Sequence, residues 1–331
     1  MTSTMLPARG RPSKAPQREL PLEIFGAALG LTGLGGAWAA ASQFLDAPRW
    51  PAEVLYAIGA MSWTAFTGVY LVQSIRRSGK LRADIEHPVS GPFISFIPIV
   101  ALLLAQHYAQ YAPTVGRAAV VVFVALLALI AARLTAHWIS GELQGAGILH
   151  GGYFLPAVAG PFIASLGLTS VGLREPGLYA FGAGLFFWLT LGAAVMFAHI
   201  AGGQRTDLLV PALSSYLAST ASAAIAWLLA HPGPGPMDTS QILLTGVFFI
   251  MLLVQLALVG TYRRTASGMQ YWVFTFPVAS SANYLIRWLE RADIAGWQPW
   301  AWAVVAIATA FVVAVGGGTI APLVLGRARM R

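Results

Sequence analysis

In the stretch "YWVFTFPVASSANYLIRW", residues 271–288, Phe276 stands directly before Pro277 in an otherwise apolar run. A proline inside a helix removes a backbone hydrogen bond and crowds the preceding turn, at a cost of about 3 kcal/mol. Hydroxyls gather near such breaks: Ser214 and Ser215 follow Pro211, and Ser280 and Ser281 follow Pro277. They either offer donors to an anion or satisfy carbonyls freed by the proline. Reaction chemistry has little else to work with. Cysteine is absent, which excludes thiolate catalysis, disulfides and thiolate-held metal. His87, His107, His137, His150, His199 and His231 are scattered without HExxH or comparable spacing, and no GxxxxGK[ST] loop exists. No metal site and no cofactor is expected, and a membrane enzyme acting on an oxyanion is the weakest of the functional readings.

The elements that carry these residues follow from composition. The 331 residues are 57% hydrophobic and 10% charged, far below the ~25% charged typical of soluble domains. Mean hydropathy is +0.69. The net charge of +8 is spread over short flanks between apolar runs, which speaks for membrane topology and against a nucleic-acid partner. Ten segments are long enough to span: 21–45, 51–75, 92–110, 114–139, 152–172, 178–200, 207–230, 239–260, 269–289 and 300–325. The chain is expected to be an all-α integral membrane protein with one transmembrane unit over 20–326. A disordered basic tail over 1–19 and a basic end over 327–331 complete it. With the N-terminus inside, fifteen Lys and Arg fall on the inner flanks and five (Arg49, Arg117, Arg174, Arg287, Arg291) on the outer ones. An even number of spans returns the C-terminus to the cytoplasm, so both termini are expected there, with the chain multi-pass in the cell's inner (plasma) membrane.

The prolines repeat. Odd-numbered spans carry "FIPIV" at Pro98, "FLPAV" at Pro156, "LVPAL" at Pro211 and "TFPVA" at Pro277, one two-helix hairpin apart. The first span has "GAALG" there, with Ala28 in the proline's place between Gly26 and Gly30. Repeats of this kind build transporter folds, and broken helices are tolerated where the freed backbone lines a cavity or is buried in protein. Five helical hairpins around a quasi-five-fold axis would set odd spans inside as kinked, small-residue helices and even spans outside against lipid. The central space would be a pore, lined by Gly26, Gly30, Ile97, Leu155, Val210, Ser214 and Ser280. The residues before the repeat positions are Ala27, Ile97, Leu155, Val210 and Phe276, so only the ninth span brings an aromatic ring to that level. Phe276 is then either a hydrophobic constriction or ordinary packing between helices. The span middles are nearly free of ionisable groups, since Glu23, Glu53, Arg133, His199 and Arg287 lie near span ends. That weakens the case for a proton-driven pump. Arg287 is either an anion attractor at the outer end or an interfacial arginine near Trp288 and Glu290.

The motifs "GPFISFIPI", "YFLPAVAGPF", "GLYAFGAGLFFW" and "YWVFTFPVASSAN", in that order, resemble the TehA and plant slow-anion-channel family, also called the tellurite-resistance/dicarboxylate transporter family. The likeness runs from residue 21 to about 323, and the "WVFTF…ASSAN" pattern carries most of its specificity. The resemblance implies a ten-helix bundle around an anion pore, assembled as a homotrimer in membrane lipid, with Phe276 as the gate. It implies a passive channel or channel-like exporter for small inorganic or organic anions, with a link to tellurite resistance. The alternative is an ion-gradient-coupled carrier of C4-dicarboxylate such as malate, of sulfite or of another oxyanion. Ala28 departs from a proline that relatives can have, and Pro277 stands where close relatives can have glycine.

Overall fold

The computed structural model describes residues 19–140, 149–201, 207–233, 235–265 and 268–328, and these contain helices and turns but no strand. Of the tail expected over 1–19 only residue 19 is described, and the last three residues of the chain also lie outside the described residues. Eleven α-helices follow in order: α1 (Phe25–Phe44), α2 (Trp50–Arg76), α3 (Lys80–Glu86), α4 (Phe96–Tyr108), α5 (Pro113–Ile139), α6 (Gly160–Ser170), α7 (Arg174–Ile200), α8 (Ser215–Ala230), α9 (Thr239–Thr265), α10 (Trp272–Arg291) and α11 (Gln298–Ala328). With the short α3 set aside, they pair as five hairpins.

Nine spans among the described residues are long and apolar enough to cross a membrane. The remaining long helix, α10, carries Asn283, Arg287, Glu290 and Arg291 in its C-terminal half, which lowers its apolarity. Its 20 residues still reach ~30 Å at the usual rise of about 1.5 Å per residue. Burial sorts the rest into two sets. Spans containing α1, α4, α6 and α8 are 67–89% buried, whereas α2, α5, α7, α9 and α11 are 17–22% buried. Contacts close the inner set into a ring, α1 to α4, α6, α8, α10 and back to α1, and the α1–α10 seam is the most extensive. Each outer helix packs on the inner partner of its own hairpin. The five-fold arrangement follows from that closure.

At the end of the bundle away from the chain termini (its outer end) the connections are tight. Between α6 and α7 the chain turns at Gly172, whose φ of 80° suits glycine. Leu173 N–H donates to the Leu168 carbonyl at 2.8 Å and Gly172 N–H to Thr169 at 3.1 Å, the paired bonds of a Schellman cap. On the opposite side, every inner helix is entered through a 3₁₀ segment: Leu22–Ile24, Gly91–Ser95, Gly151–Tyr153, Asp207–Ser214 and Gly268–Tyr271. No outer helix has one among the described residues. This repeated collar was not anticipated from the sequence.

The collar also corrects the expectation of five kinks in one register. Pro98 is the third residue of α4, in the turn whose N–H groups have no acceptor within the α-helix. Pro156 lies in a π-helical turn, Leu155–Ala159, before α6, and Pro211 lies in the 3₁₀ segment before α8. Only Pro277 sits inside a long α-helix, where it deletes the bond its N–H would give to Val273. At Ala28 the helix runs on unbroken, and the Ala28 carbonyl accepts the Thr32 hydroxyl at 2.9 Å.

Short helix α3 ties the same side together. Lys80 is buried there, with Nζ 3.2 Å from Glu19 and 3.0 Å from Asp84, while the Tyr70 hydroxyl donates to Asp84 at 2.9 Å. Arg77 pairs with Glu19, and Arg133 meets Glu86 at 3.4 Å.

Candidate functional site: an axial cavity and its constriction

Inside the ring lies a cavity of about 30 Å³, on the side of the 3₁₀ collar, lined by residues from all five inner helices. That is room for one or two waters. Its outermost lining residues are Leu29 of α1, Ile99 of α4, Ile163 of α6, Ala218 of α8 and the Phe276–Pro277 pair of α10. No ionisable side chain lines it among the described residues. An ion there would meet hydrocarbon, backbone dipoles and the hydroxyls of Ser214 and Ser215.

Phe276 stands at the outer end of this cavity and is 6% exposed. Its position depends on a stripe of glycines on α1. A methyl group built on Gly33 would come within 2.7 Å of the ring's Cδ2, and one on Gly30 within 1.9 Å of Thr275 Oγ1. Both helices therefore approach at backbone distance, as small residues permit in membrane bundles. The ring lies in the bed that Gly33 leaves.

The other anticipated residues separate into two groups. Gly26, Leu155 and Ser214 line the cavity with Phe276 and Pro277. Gly30 faces Thr275 in the α1–α10 seam. Ile97 turns away, its carbonyl accepting the Trp63 indole N–H at 2.9 Å, and Val210 packs with Tyr262 and Phe274 behind the ring. Ala28, Pro98, Pro156, Pro211 and Ser280 are not among its lining residues. Phe93, Phe96 and Trp272 are, so the axis carries more aromatic carbon than the proline register implied.

The serine question has a partial answer in the bonds. Ser214 donates to the Pro211 carbonyl at 2.8 Å, Ser215 to Gly151 at 2.9 Å, and Ser280 and Ser281 to Pro277 at 3.2 and 2.7 Å. None of these carbonyls is the one Pro277 frees. That one belongs to Val273, which lines the cavity.

At the collar, His150 is 1% exposed and bridges two segments. Its Nδ1 accepts the Gly152 N–H at 3.1 Å, and its Nε2 faces the Pro88 carbonyl at 3.4 Å. Burial pushes its pKa down to about 4, so it is neutral near pH 7. Gly151 is the collar's tightest glycine, since a Cβ there would stand 2.0 Å from the Ala212 carbonyl oxygen.

At the outer end three helices meet in a polar group that no spacing in the chain announces. Tyr56 stacks on His107 at 3.7 Å with an 11° interplanar angle. His107 Nε2 lies 3.1 Å from Glu53, whose other oxygen accepts the Tyr111 hydroxyl at 2.6 Å. Arg287 donates from Nε to Asn283 Oδ1 at 2.9 Å.

Among the described residues, ten long helices in an inner and an outer ring around an apolar axial cavity define a multi-pass all-α membrane protein. Residues 19–320 match the model of the family described as voltage-dependent anion channel, and the chain belongs to that family. It is 26% identical over 267 residues to the tellurite resistance protein TehA homolog of Haemophilus influenzae, covering 80% of each chain. It is 22% identical to two Arabidopsis thaliana proteins, the S-type anion channels SLAH3 and SLAH2, over 89% and 91% of this chain. It spans 47% and 58% of those plant proteins' own lengths.

Proposed function

We propose that this chain is a passive anion channel, or channel-like exporter, whose pore runs along the axis of α1, α4, α6, α8 and α10 and is closed by Phe276. The observation that carries this reading is the position of Phe276, at the outer end of an apolar cavity to which every inner helix contributes. An uncharged, narrow hydrocarbon passage sheds water, and a passage that dewets blocks ions until it widens. Widening requires the ring to leave Gly33, by a change of rotamer or by movement of α10 at Pro277. Termini on the cytoplasmic side of the cell membrane, a homotrimeric assembly in lipid, and a contribution to tellurite resistance through general anion permeability belong to the same proposal.

The test is Phe276→Ala in planar bilayers or oocytes. Anion current well above wild type is expected, and current at the wild-type level from properly inserted protein would end the plug reading.

One observation favours a second reading. The Glu53–His107 pair, 3.1 Å apart at the outer end, is a titratable couple of the kind coupled carriers use. An ion-gradient-coupled carrier of C4-dicarboxylate, sulfite or another oxyanion would show saturable, pH-gradient-dependent uptake into proteoliposomes. A channel would follow the electrochemical potential of its anion.

A further inference from the structure

One groove on the outside of the bundle is unlike the other four. Where neighbouring hairpins meet, the outer helix of one packs on the inner helix of the next: α2 on α4, α5 on α6, α7 on α8 and α11 on α1. Between α9 and α10 the backbones stay apart, and long side chains bridge the gap. Phe248 meets Tyr284 at 4.8 Å between ring centroids and Phe249 meets Trp288 at 5.0 Å. Nearer the collar, Tyr262 meets Phe274 at 4.7 Å. On that side of the groove lies a cavity of about 220 Å³, far larger than the axial one. Pro277 and Ser214 line both cavities, so they form the wall between them.

The depth of this cavity is hydrocarbon, with Leu217, Leu252, Val278 and Phe311 among its lining. Its polar side chains are already committed. Gln255 donates from Nε2 to the Leu213 carbonyl at 3.2 Å and accepts the Tyr262 hydroxyl on Oε1 at 2.6 Å, and Ser214 donates to Pro211. Such a space favours hydrocarbon over water, and an apolar cavity of about 150 Å³ already admits benzene. Leu256 and Val259 line it and are exposed on the lipid-facing side of α9, so the cavity opens to the bilayer.

Charge stands at one end only. Arg263 lines the cavity, is exposed and makes no ion pair among the described residues, and exposed Arg264 follows it in the last turn of α9. From Leu252 to Arg263 the α9 wall rises ~16 Å at 1.5 Å per residue, close to half of a hydrocarbon core of about 30 Å. Tyr262 and Tyr271 flank the charged end, at the level where aromatic residues mark a membrane interface. A cation at the rim with one leaflet's depth of hydrocarbon beneath it matches a phospholipid. A helix, about 10 Å across, is too wide to enter.

We propose that the α9–α10 groove binds one anionic glycerophospholipid from the leaflet on the collar side, with an acyl chain in the cavity and the phosphate on Arg263. Basic residues at the membrane surface attract anionic headgroups, so a zwitterionic lipid with the same chains binds less well. The acyl chain lies behind Pro277, in the space that an outward movement of α10 needs. A bound lipid therefore holds α10 in place and keeps Phe276 on Gly33. That consequence rests on the plug reading given above, whereas the binding does not.

Dioleoyl phosphatidylglycerol and dioleoyl phosphatidylcholine are the probes. The purified full chain in detergent is offered both in equal amounts, and bound lipid is counted by native mass spectrometry. Wild type is expected to retain one phosphatidylglycerol per chain in preference to phosphatidylcholine. Arg263→Gln is expected to reduce that preference about fivefold, the weight of one basic residue at an anionic surface. Leu252→Phe narrows the cavity with the charge intact and is expected to weaken retention of both lipids. A wild type without the preference, or retention unchanged in both variants, would overturn the proposal. So would a Leu252→Phe chain that changes its oligomeric mass and keeps its lipid, since a second copy would then occupy the groove. Should one variant fail to fold, the other decides. Bound mass is read without current, so Phe276→Ala at wild-type current ends the plug and leaves the lipid site standing, and absent lipid leaves the plug untouched.

Discussion

The ring of Phe276 rests against the bare backbone of Gly33, so closely that a single added methyl group would stand 2.7 Å from Cδ2. A contact below 3 Å forces one partner to shift. The Gly33 backbone is fixed in the middle of α1, which leaves the ring to move. Gly33→Ala is therefore expected to lift the ring from its closed position and raise basal anion current above wild type, by less than Phe276→Ala does. Single-channel or macroscopic current at matched surface expression checks this. Current equal to or below wild type would show that the ring seats elsewhere when the axis is shut.

Pro277 is the one repeat proline that interrupts a long α-helix. Pro277→Ala restores a donor to the Val273 carbonyl and stiffens α10 where the ring is attached. A thermal stability gain of about 1 kcal/mol is expected from the recovered bond. Open probability should fall at the same time, because the helix loses its weak turn. A variant that is more stable yet conducts as wild type does would separate the proline from gating.

That Phe276 lines the cavity while Ile97 and Val210, at the same step before their prolines, do not is a matter of rotation. A shared proline aligns chains along the helix, and a helix turns ~100° with each residue, at about 3.6 residues per turn. Pro98 is the third residue of α4 and Pro277 the sixth of α10, so the residue before each faces a different direction. The spans themselves were legible because a run of about 20 apolar residues is the length a bilayer demands of a helix and far more than a soluble core needs. Their edges moved by only a few residues. The 3₁₀ collar was not legible, since it differs from an α-helix by a single step in hydrogen bonding. Nor was the outer polar group: Tyr56, His107 and Asn283 come from three different helices, and no spacing in the chain connects them.

Lys80 tests whether the collar side is held by charge. Its ammonium is buried between Glu19 and Asp84 and lies 5.4 Å from the centre of the Tyr70 ring. Lys80→Met keeps the length of the side chain and removes the charge, leaving Asp84 with the Tyr70 hydroxyl alone. A loss of about 2 kcal/mol is expected, tempered by the exposure of Glu19. Thermal unfolding in detergent measures it, and a midpoint unchanged or raised would mean that the pair does not hold α3 in place.

His150 makes the collar sensitive to acid. Its folded pKa of about 4 lies below the ordinary histidine value of 6.5, because burial disfavours the charged ring. The unfolded chain therefore binds a proton over that interval while the folded chain does not. By linkage, stability rises with pH wherever the unfolded state holds more protons. The contribution of His150 is complete above pH 6.5 and is lost as pH falls toward about 4. Across the whole window it amounts to about 3 kcal/mol at 1.36 kcal/mol per unit. Asparagine in its place can still accept the Gly152 N–H but does not titrate there. The unfolding midpoint of His150→Asn should fall less steeply than that of wild type between pH 7 and 4.5. Parallel curves would mean that His150 gains solvent or a counter-charge on protonation and that the collar opens without unfolding the bundle.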